Sequence, residues 1–252
     1  MIRNTVDTTA RNDMWKDPSI LTDTLWLFPG RDDSGGHSNH FHGNFVPQVA
    51  RQAILRFTNK GDTVLDMFCG GGTTLIEASR LGRKSIGVDL VKHPGWEVPE
   101  GCEFIEGDST KPGTTRMLRS SIDLVILHPP YHNIIKFTDL REDLSNAKDS
   151  GYFYMLMQDV IRNALEALKP GGHMVLVIGD KYENGEVEPM GFQCMRMAQH
   201  WGFRLKAINV KDIQGNERGK GKNANLWRYR AIKHGFQVFK HEYVMFFQKK
   251  LA

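Results

Sequence analysis

Residues 64–74 read Val64-Leu65-Asp66-Met67-Phe68-Cys69-Gly70-Gly71-Gly72-Thr73-Thr74, and this stretch decides the fold. An apolar run, three consecutive glycines and a pair of threonines predict a strand over residues 63–67, a tight turn, and a helix over residues 72–81. Glycines at such a turn let the backbone bend sharply and approach a ligand closely. A strand, a glycine-rich turn and a helix also form nucleotide sites in α/β proteins. A tight turn without a ligand is the alternative that this stretch alone leaves open.

Outward from this stretch, predicted strands alternate with predicted helices. The further strands are expected at residues 84–89, 103–106, 122–127, 174–178, 203–210 and 242–248. The further helices are expected at residues 47–57, 152–168 and 190–199. Such alternation predicts a single α/β domain with a doubly wound, mostly parallel sheet, helices on both faces and right-handed crossovers. We place this domain at residues 44–252, after an N-terminal arm and polar loop at residues 1–43, and we expect a basic loop at about residues 211–239.

The composition is that of an ordinary globular protein, with 40% hydrophobic residues, 25% charged residues and a formal net charge of +4. No apolar stretch approaches the roughly 20 residues that a membrane-spanning helix needs. The first residues also lack the apolar segment of a secretory signal, so we expect no membrane association and a cytoplasmic protein. The three cysteines show no CxxC spacing, which argues against a disulfide framework or a zinc ribbon.

Acidic residues stand at the ends of the first three predicted strands. Asp66 ends the first strand, Asp89 ends the second, and Asp108 follows the third. An acid after the second strand can accept hydrogen bonds from both hydroxyls of a ribose, and Asp66 can attract a cationic group of a ligand. Each acid alone also fits an exposed loop or a helix cap. Together, at three successive strand ends, they predict a ligand of the adenosine type.

The tetrapeptide His128-Pro129-Pro130-Tyr131 directly follows the apolar run at residues 122–127. It places a polar side chain, two prolines and an aromatic ring at the carboxyl end of a buried strand, where open α/β sheets bind their ligands. Prolines have no N–H group and fix φ, so the carbonyls here are free to accept hydrogen bonds. A planar ring that carries an amino group fits such a site. The amine donates to His128 and a carbonyl, while Tyr131 stacks on the ring.

Taken in order, DxFxGxGTT at residues 66–74, the strand-end Asp89, the Gly107-Asp108 pair and PPY at residues 129–131 resemble the S-adenosylmethionine-dependent amino-methyltransferases. From about Asn44 onward, the chain is most similar to the DNA adenine-N6 and cytosine-N4 methyltransferases. The resemblance implies a Rossmann-like methyltransferase fold, with a seven-stranded sheet whose last strand is antiparallel. It also implies S-adenosylmethionine as the cofactor. The residues expected to contact it are Phe45, Pro47, Asp66, Phe68, Cys69, Gly70, Gly72, Thr73, Thr74, Asp89, Asp108 and Ser109.

The same resemblance implies that His128, Pro129, Pro130 and Tyr131 form the catalytic motif. The side chain at position 128 and the Pro129 carbonyl accept from the amine, and Tyr131 stacks on the base. Family members usually have Asp, Asn or Ser where this chain has His128. A neutral imidazole accepts one hydrogen bond and an imidazolium accepts none, so activity is expected to fall when His128 is protonated.

The activity implied is methyl transfer to adenine N6 or cytosine N4 of a base that is flipped out of duplex DNA, with adenine slightly favoured. Two alternatives stay open: an RNA amino-methyltransferase, acting for example on guanine N2 of tRNA, and a catalytically inactive nucleotide-binding protein. A nucleotide-dependent oxidoreductase is disfavoured because Leu75 stands where GxGxxG requires its third glycine. No large recognition domain follows the predicted sheet. We therefore expect short or relaxed sequence specificity, or specificity from a homodimer or a separate subunit, as in a restriction–modification system.

Basic residues concentrate near the end of the chain. Between Arg204 and Lys240 there are ten lysines and arginines, but only two acids, Asp212 and Glu217. Such a local excess predicts contact with a polyanion, and cations beside aromatic rings suit phosphates and stacked bases. A solvated basic surface is the alternative. The residues expected to bind nucleic acid are Lys220, Lys222, Arg228 and Arg230.

Three histidines, His37, His40 and His42, form an HxxHxH pattern shortly before the predicted domain. Histidine clusters bind zinc in many proteins. Because this cluster directly precedes the segment expected at the cofactor, we expect it to form a wall of the site rather than a metal centre.

Overall fold

The computed structural model describes residues 14–37, 43–213 and 224–251. Its strands are β1 (Leu25–Trp26), β2 (Thr63–Asp66), β3 (Lys84–Asp89), β4 (Cys102–Glu106), β5 (Ile122–Leu127), β6 (Leu168–Ile178), β7 (Lys181–Glu183), β8 (Glu186–Glu188), β9 (Phe203–Asp212) and β10 (His241–Lys249). Its α-helices are α1 (Pro47–Phe57), α2 (Thr73–Arg80), α3 (Pro112–Thr115), α4 (Ser150–Ala167), α5 (Met190–His200) and α6 (Ala224–His234).

The main sheet has the strand order β1-β9-β10-β6-β5-β2-β3-β4. β10 runs antiparallel to both of its neighbours, β6 and β9, and the other pairs of this sheet are parallel. The predicted fold, a mostly parallel sheet with an antiparallel last strand, is confirmed. The sheet has eight strands rather than seven because β1 pairs with the end of β9. A strand of two residues is too short to show a periodic pattern in sequence.

Both faces of the sheet are covered by helices, as the alternation of strands and helices predicts. In β5, Val125 and Leu127 point into a core that includes α4 and α5, whereas Leu124 and Ile126 point into a core that includes α1. Successive residues of a strand face opposite sides of a sheet, so a strand buried on both faces is a continuous apolar run. The apolar run ends at Leu127, and the half-buried His128 follows at the carboxyl end of β5.

The segment between β9 and β10 differs from the prediction. The expected loop at about residues 211–239 is in part regular structure, because β9 continues to Asp212 and α6 lies within the segment. α6 carries little apolar patterning, and Leu226, Tyr229 and Ile232 are exposed, so no helical period marks it in the sequence. A small hairpin of β7 and β8 packs against the end of this segment through Tyr182, which stacks on Phe239 with ring centroids 4.9 Å apart.

The N-terminal part of the chain is tied to the sheet. Trp26 of β1 is 1% exposed and packs on Phe246 of β10, with ring centroids 5.8 Å apart. The division of the chain at residue 43 stays a prediction, although β1 lies before it. Among the helices of the described residues, none combines the length and the apolar character needed to cross a bilayer.

Candidate active site

The carboxyl ends of the parallel strands and the amino end of β10 meet at one edge of the sheet. A cavity of about 980 Å³ opens at this edge. Gly70 of the glycine-rich turn lines it, and so do His128 and Pro129 after β5. Two motifs that are far apart in sequence therefore share one cavity.

Most residues that the sequence assigns to the site line this cavity. They are Phe45, Asp66, Phe68, Cys69, Gly70, Thr73, Asp89, Asp108, Ser109, His128, Pro129, Pro130 and Tyr131. Pro47, Gly72 and Thr74 are not among the lining residues. Pro47 is buried at the first position of α1, and Thr74 is fully buried in α2. Gly72 lies beneath the ring of Trp96, as described next.

The glycine-rich turn is held by backbone geometry that requires glycine. Gly70 has φ +48° and Gly72 has φ +79°, in the left-handed region that costs other residues strain. A Cβ atom on Gly72 would lie 2.3 Å from the ring of Trp96. The Gly70 N–H donates to Oδ2 of Asp89 at 2.8 Å. The turn therefore places backbone groups at the cavity wall, with Asp89 fixed beside them.

The carboxylates at the strand ends differ in their electrostatics. Burial raises the pKa of Asp66 to about 6, although its Oδ1 accepts from the Phe68 N–H at 3.0 Å. Burial also raises the pKa of Asp89, whose two oxygens accept from the Gly70 and Leu90 N–H groups. Each oxygen keeps a lone pair for a further donor. A buried carboxylate with spare acceptor capacity favours a ligand that brings hydroxyl or cationic groups.

Four side chains that line the cavity at the ends of β5, β9 and β10 form what we call the cavity network: His128, Tyr131, Lys211 and Glu242. The Tyr131 hydroxyl donates to Oε2 of Glu242 at 2.8 Å, and its oxygen lies 3.2 Å from Nε2 of His128. Lys211 Nζ donates to Oε1 of Glu242 at 2.9 Å. The four residues line the cavity, so the catalytic tetrapeptide is joined to β9 and β10 by a chain of hydrogen bonds.

The charges in the cavity network are set by its burial. Burial lowers the pKa of His128 to about 4, so its imidazole is neutral at pH 7. Burial acts to raise the pKa of Glu242, but the nearby charges and the hydrogen bonds from Lys211 and Tyr131 together outweigh it, so the pKa lies below its ordinary value. Glu242 is therefore a carboxylate that only accepts hydrogen bonds.

Sequence reasoning missed Lys211 and Glu242 as residues of the site. They face each other directly across the antiparallel pair of β9 and β10. One signal was available: Lys211 directly follows the predicted strand at residues 203–210 and Glu242 begins the predicted strand at residues 242–248, both at the ligand-binding edge of the sheet.

His37 does not line the cavity, and the expectation that it forms a wall of the site is wrong. Its Nε2 lies 2.8 Å from Oε1 of Glu77, a side chain on α2 with no exposed surface. Arg51 and Arg80 also donate to Glu77, at 2.7 and 2.8 Å. We call these four residues the loop clamp, because they join the polar loop to α1 and α2. His40 and His42 lie outside the described residues, within which no group of three or more His, Cys, Asp or Glu side chains could hold a metal ion.

Two of the four residues predicted to bind nucleic acid lie in the described part of the chain. Arg228 and Arg230 are exposed on α6, and Arg230 lies over the ring of Trp227 at 5.5 Å. Lys220 and Lys222 lie outside the described residues. These residues belong to the segment that connects β9 to β10. Ile213, near its start, and Glu242, just after its end, both line the cavity, so both ends of the segment lie at the cavity wall.

Comparison with known families decides the relationship that the motifs suggest. The DNA methylase family model N6_N4_Mtase matches residues 2–93 and 122–251, which is most of the chain. The chain belongs to this family. The resemblance drawn from the motifs is thereby confirmed, and with it S-adenosylmethionine as the cofactor of this chain. The cavity fits that cofactor, because its glycine turn and its buried carboxylates can approach and bind an adenosine-type ligand with cationic and hydroxyl groups.

Proteins similar to this chain include a Type II methyltransferase and a tRNA methyltransferase. A Type II methyltransferase, M.MjaII of Methanocaldococcus jannaschii, is 40% identical over 55 residues, which are 21% of this chain and 10% of the relative. A tRNA (guanine(10)-N2)-dimethyltransferase of the same organism is 28% identical over 137 residues, 45% of this chain and 38% of the relative. The chain thus spans well under half the length of these curated relatives.

Solved structures agree with the fold. The 1,6-didemethyltoxoflavin-N1-methyltransferase of Burkholderia thailandensis, solved with S-adenosylhomocysteine, aligns with a TM-score of 0.53 and 13% identity. The alignment covers 81% of this chain and 78% of that one. At this identity the likeness concerns the fold alone.

Proposed function

We propose that this protein transfers a methyl group from S-adenosylmethionine to the exocyclic amine of a base in duplex DNA, adenine N6 or cytosine N4. One observation supports this above the others: the hydrogen-bond acceptors of residues 128 and 129 line the same cavity as the glycine turn. We assign the methyltransferase domain to residues 44–252. The N-terminal residues add β1 and the polar loop to it.

The chemistry that these residues can perform follows from the nature of the amine. The lone pair of an aromatic amine is delocalised into its ring, so the nitrogen is a weak nucleophile. Two acceptors aimed at its N–H groups favour a pyramidal nitrogen whose lone pair is available, an effect of positioning and of a prearranged electric field. A neutral His128 and the Pro129 carbonyl supply these acceptors. Bound S-adenosylmethionine supplies an activated methyl group on a positively charged sulfur.

The cofactor is held by the residues around the glycine turn. Asp89 accepts from the ribose hydroxyls, Asp66 attracts the cationic part of the ligand, and Asp108 with Ser109 contacts the adenine edge. Phe45 would contribute an apolar surface beside the cofactor; its ring lies edge-on to His128, with ring centroids 5.0 Å apart, and both residues line the cavity.

His128 also sets the expected pH profile. Its pKa of about 4 means that methyl transfer at saturating substrate persists below the ordinary histidine pKa and is lost as the pH falls through about 4. Measuring kcat from pH 8 to the limit of stability tests this, because a loss centred at pH 6.5 would contradict it.

A base must leave the duplex to enter this cavity. Tyr131 stacks on the flipped base, and Ile134 and Ile135, exposed at the cavity wall, stand where the duplex approaches. α6 carries Arg228 and Arg230 and no acid, so it binds the phosphates beside the flipped base.

The second candidate substrate is RNA. It is favoured by the likeness to the tRNA (guanine(10)-N2)-dimethyltransferase over 45% of the chain. Incubation of the purified protein with methyl-labelled S-adenosylmethionine and duplex DNA, tRNA or no polymer distinguishes the two, and nucleoside mass spectrometry identifies the methylated amine. We expect label in duplex DNA, and label slowed about 10²–10³-fold with a His128→Ala control. If only tRNA is labelled, the substrate is RNA and the DNA proposal is wrong. If neither polymer is labelled, the protein binds nucleotides or nucleic acid without methylating them.

A charge-reversal pair tests the nucleic-acid surface. Arg228→Glu with Arg230→Glu is expected to weaken duplex binding at least about 10-fold and to reduce its salt dependence. Arg204→Glu with Lys206→Glu is the matched control, because these exposed residues lie near the opposite end of β9 and the change in charge is equal. Equal loss of affinity in both pairs would refute a specific role for α6.

A further inference from the structure

The hydrogen bonds of the cavity network have a direction that follows from the chemistry of Glu242. As a carboxylate beside Lys211, Glu242 has no proton to give, so the Tyr131 hydroxyl donates its single proton to Glu242. The Tyr131 oxygen then has only lone pairs to offer to Nε2 of His128, 3.2 Å away. Nε2 must therefore carry the proton of the neutral ring.

The other ring nitrogen of His128 is then a bare acceptor. Nδ1 has no hydrogen-bond partner among the described residues and is not sealed inside the protein, while the ring lines the cavity. In the opposite tautomer, Nδ1 would present an N–H group and would repel the N–H groups of an amine. Asp, Asn and Ser each carry an oxygen acceptor and need no such control.

We propose that Glu242 is a positioning residue that selects the tautomer of His128 through Tyr131, so that an imidazole replaces the oxygen acceptor usual at this position. Lys211 keeps Glu242 ionised and fixes its orientation. The role of Glu242 in methyl transfer rests on the proposed function, whereas the tautomer is a property of the protein alone.

Replacing Glu242 with Gln reverses the direction of the chain. Lys211 only donates, so the Gln amide oxygen faces Lys211 and its NH₂ group faces Tyr131. The Tyr131 hydroxyl is then free to donate to Nε2 of His128, which moves the ring proton to Nδ1. The variant keeps the size of the side chain and changes the tautomer.

The tautomer is read by NMR of protein labelled with ¹⁵N-histidine, with the His128 signals assigned by their loss in His128→Asn. Wild type is expected to show a protonated Nε2 and an unprotonated Nδ1 at pH 7, and Glu242→Gln the reverse. Glu188→Gln is the matched control, because Glu188 also accepts from a tyrosine hydroxyl, that of Tyr154, and does not line the cavity. A wild-type ring protonated at Nδ1, or an unchanged ring in Glu242→Gln, would overturn the proposal.

A double-mutant cycle connects the tautomer to the reaction. Glu242→Gln is expected to lower kcat by about 10²-fold with little change in the KM for S-adenosylmethionine, which is the size expected for a lost transition-state contact. In a His128→Asn background, whose amide oxygen needs no tautomer, Glu242→Gln is expected to change kcat less than about 3-fold. An equal loss in both backgrounds would show that Glu242 acts otherwise than through His128.

The measurements also separate this inference from the proposed function. If the tautomer switches and no nucleic acid is methylated, the relay stands and the proposed activity fails. If Glu242→Gln does not fold, Tyr131→Phe breaks the same relay without touching the buried ion pair. A mixture of His128 tautomers in Tyr131→Phe supports the relay, and a ring that stays fully protonated at Nε2 refutes it.

Discussion

The loop clamp and the cavity network are built from the same parts and differ in what they face. Each has a buried glutamate, a histidine whose Nε2 is held by a polar oxygen, and basic side chains. In both, the carboxylate pKa lies below its ordinary value despite burial. Nδ1 of His37 is sealed inside the protein without a partner among the described residues, whereas His128 lines the cavity.

The difference shows that composition alone does not make a site. The loop clamp closes on itself, so its polar groups stabilise the join between the polar loop, α1 and α2 and offer nothing to a ligand. The cavity network uses similar groups to fix a histidine whose second nitrogen is accessible. Access, together with the direction of the hydrogen bonds, distinguishes a structural cluster from a chemical one.

The largest expected effect is the contrast between the two histidines. His128→Ala is expected to lower kcat about 10²–10³-fold, the scale of losing one prearranged hydrogen-bond contact to a transition state. His37→Ala is expected to leave kcat within a few-fold and to lower the free energy of unfolding by about 1–3 kcal/mol, because the buried Glu77 carboxylate loses one of its three hydrogen-bonding partners.

Methyl-transfer rates and urea unfolding of the two variants, with His128→Asn as the conservative replacement, check this contrast. His128→Asn retains an acceptor and is expected to keep more activity than His128→Ala. Full activity in His128→Ala would remove the catalytic role, and full loss of activity in a well-folded His37→Ala would show that the loop clamp takes part in the reaction.

The second effect concerns the glutamate of the loop clamp. Glu77→Ala is expected to lower the free energy of unfolding by about 3 kcal/mol, since His37, Arg51 and Arg80 all lose their common acceptor. The value lies at the lower end for a buried pair because the two arginines remain partly exposed. Urea unfolding measures it, and Glu97→Ala, in an exposed loop, is the control.

If Glu77→Ala lowers the free energy of unfolding by less than about 1 kcal/mol, the loop clamp contributes no more to stability than an exposed ion pair does. α2 carries Glu77 and begins directly after the glycine turn, so weaker binding of S-adenosylhomocysteine in the same variant would show that the clamp also supports the cofactor loop.

The comparison also shows what sequence could and could not predict. Local signals were sufficient for the glycine turn and for the tetrapeptide after β5, because a strand followed by glycines or prolines is read from adjacent residues. The partners of the two histidines were beyond such signals. Tyr131 meets Glu242 from 111 positions away, and His37 meets Glu77 from 40 positions away, so only the assembled fold shows that one histidine is sealed and the other accessible.

α6 and β1 escaped prediction for a different physical reason. α6 lacks a continuous apolar face, since Leu226 and Ile232 are exposed, and β1 has two residues. Neither offers the repeated burial that makes a period visible. Their positions follow from the strands they accompany, β9 and β10, rather than from their own residues.

The third effect concerns the glycine turn, which lines the cavity and directly precedes α2. Gly72→Ala and Gly61→Ala both place a Cβ atom at positive φ, +79° and +86°, which costs about 1–2 kcal/mol. Gly61 has open space around it, whereas a Cβ on Gly72 meets the Trp96 ring at 2.3 Å. Gly72→Ala is therefore expected to cost about 1–3 kcal/mol more than Gly61→Ala, because a packed ring must move.

Thermal and urea unfolding compare the two glycine variants, and Trp96→Ala provides a rescue. Added to Gly72→Ala, it should remove the excess cost over Gly61→Ala. If the two glycine variants are equally destabilised, the Trp96 ring yields without cost and does not enforce the shape of the turn.

The smallest effect compares two carboxylates under changing pH. Burial raises the pKa of Asp66, in the cavity, to about 6, whereas hydrogen bonds from Ser34 lower that of Asp32, beside the loop clamp, to about 2. A raised pKa means that the folded state holds the Asp66 proton more tightly than the unfolded chain does. The stability from neutral Asp66 is therefore present below about pH 4 and is lost as the pH rises through about 6. Ligand attraction has the opposite sign, because only ionised Asp66 attracts a cation.

Calorimetric binding of S-adenosylhomocysteine from pH 5 to 8 tests the ligand side of this argument. Affinity is expected to fall several-fold as the pH drops below about 6 in wild type, at most about tenfold per pH unit. Asp66→Asn should remove this dependence, and Asp32→Asn should keep it, since Asp32 stays ionised over the whole range. A wild-type affinity that is flat across pH 6 would mean that Asp66 does not meet the cationic part of the ligand, and the cofactor would then be oriented by Asp89 and the glycine turn without it.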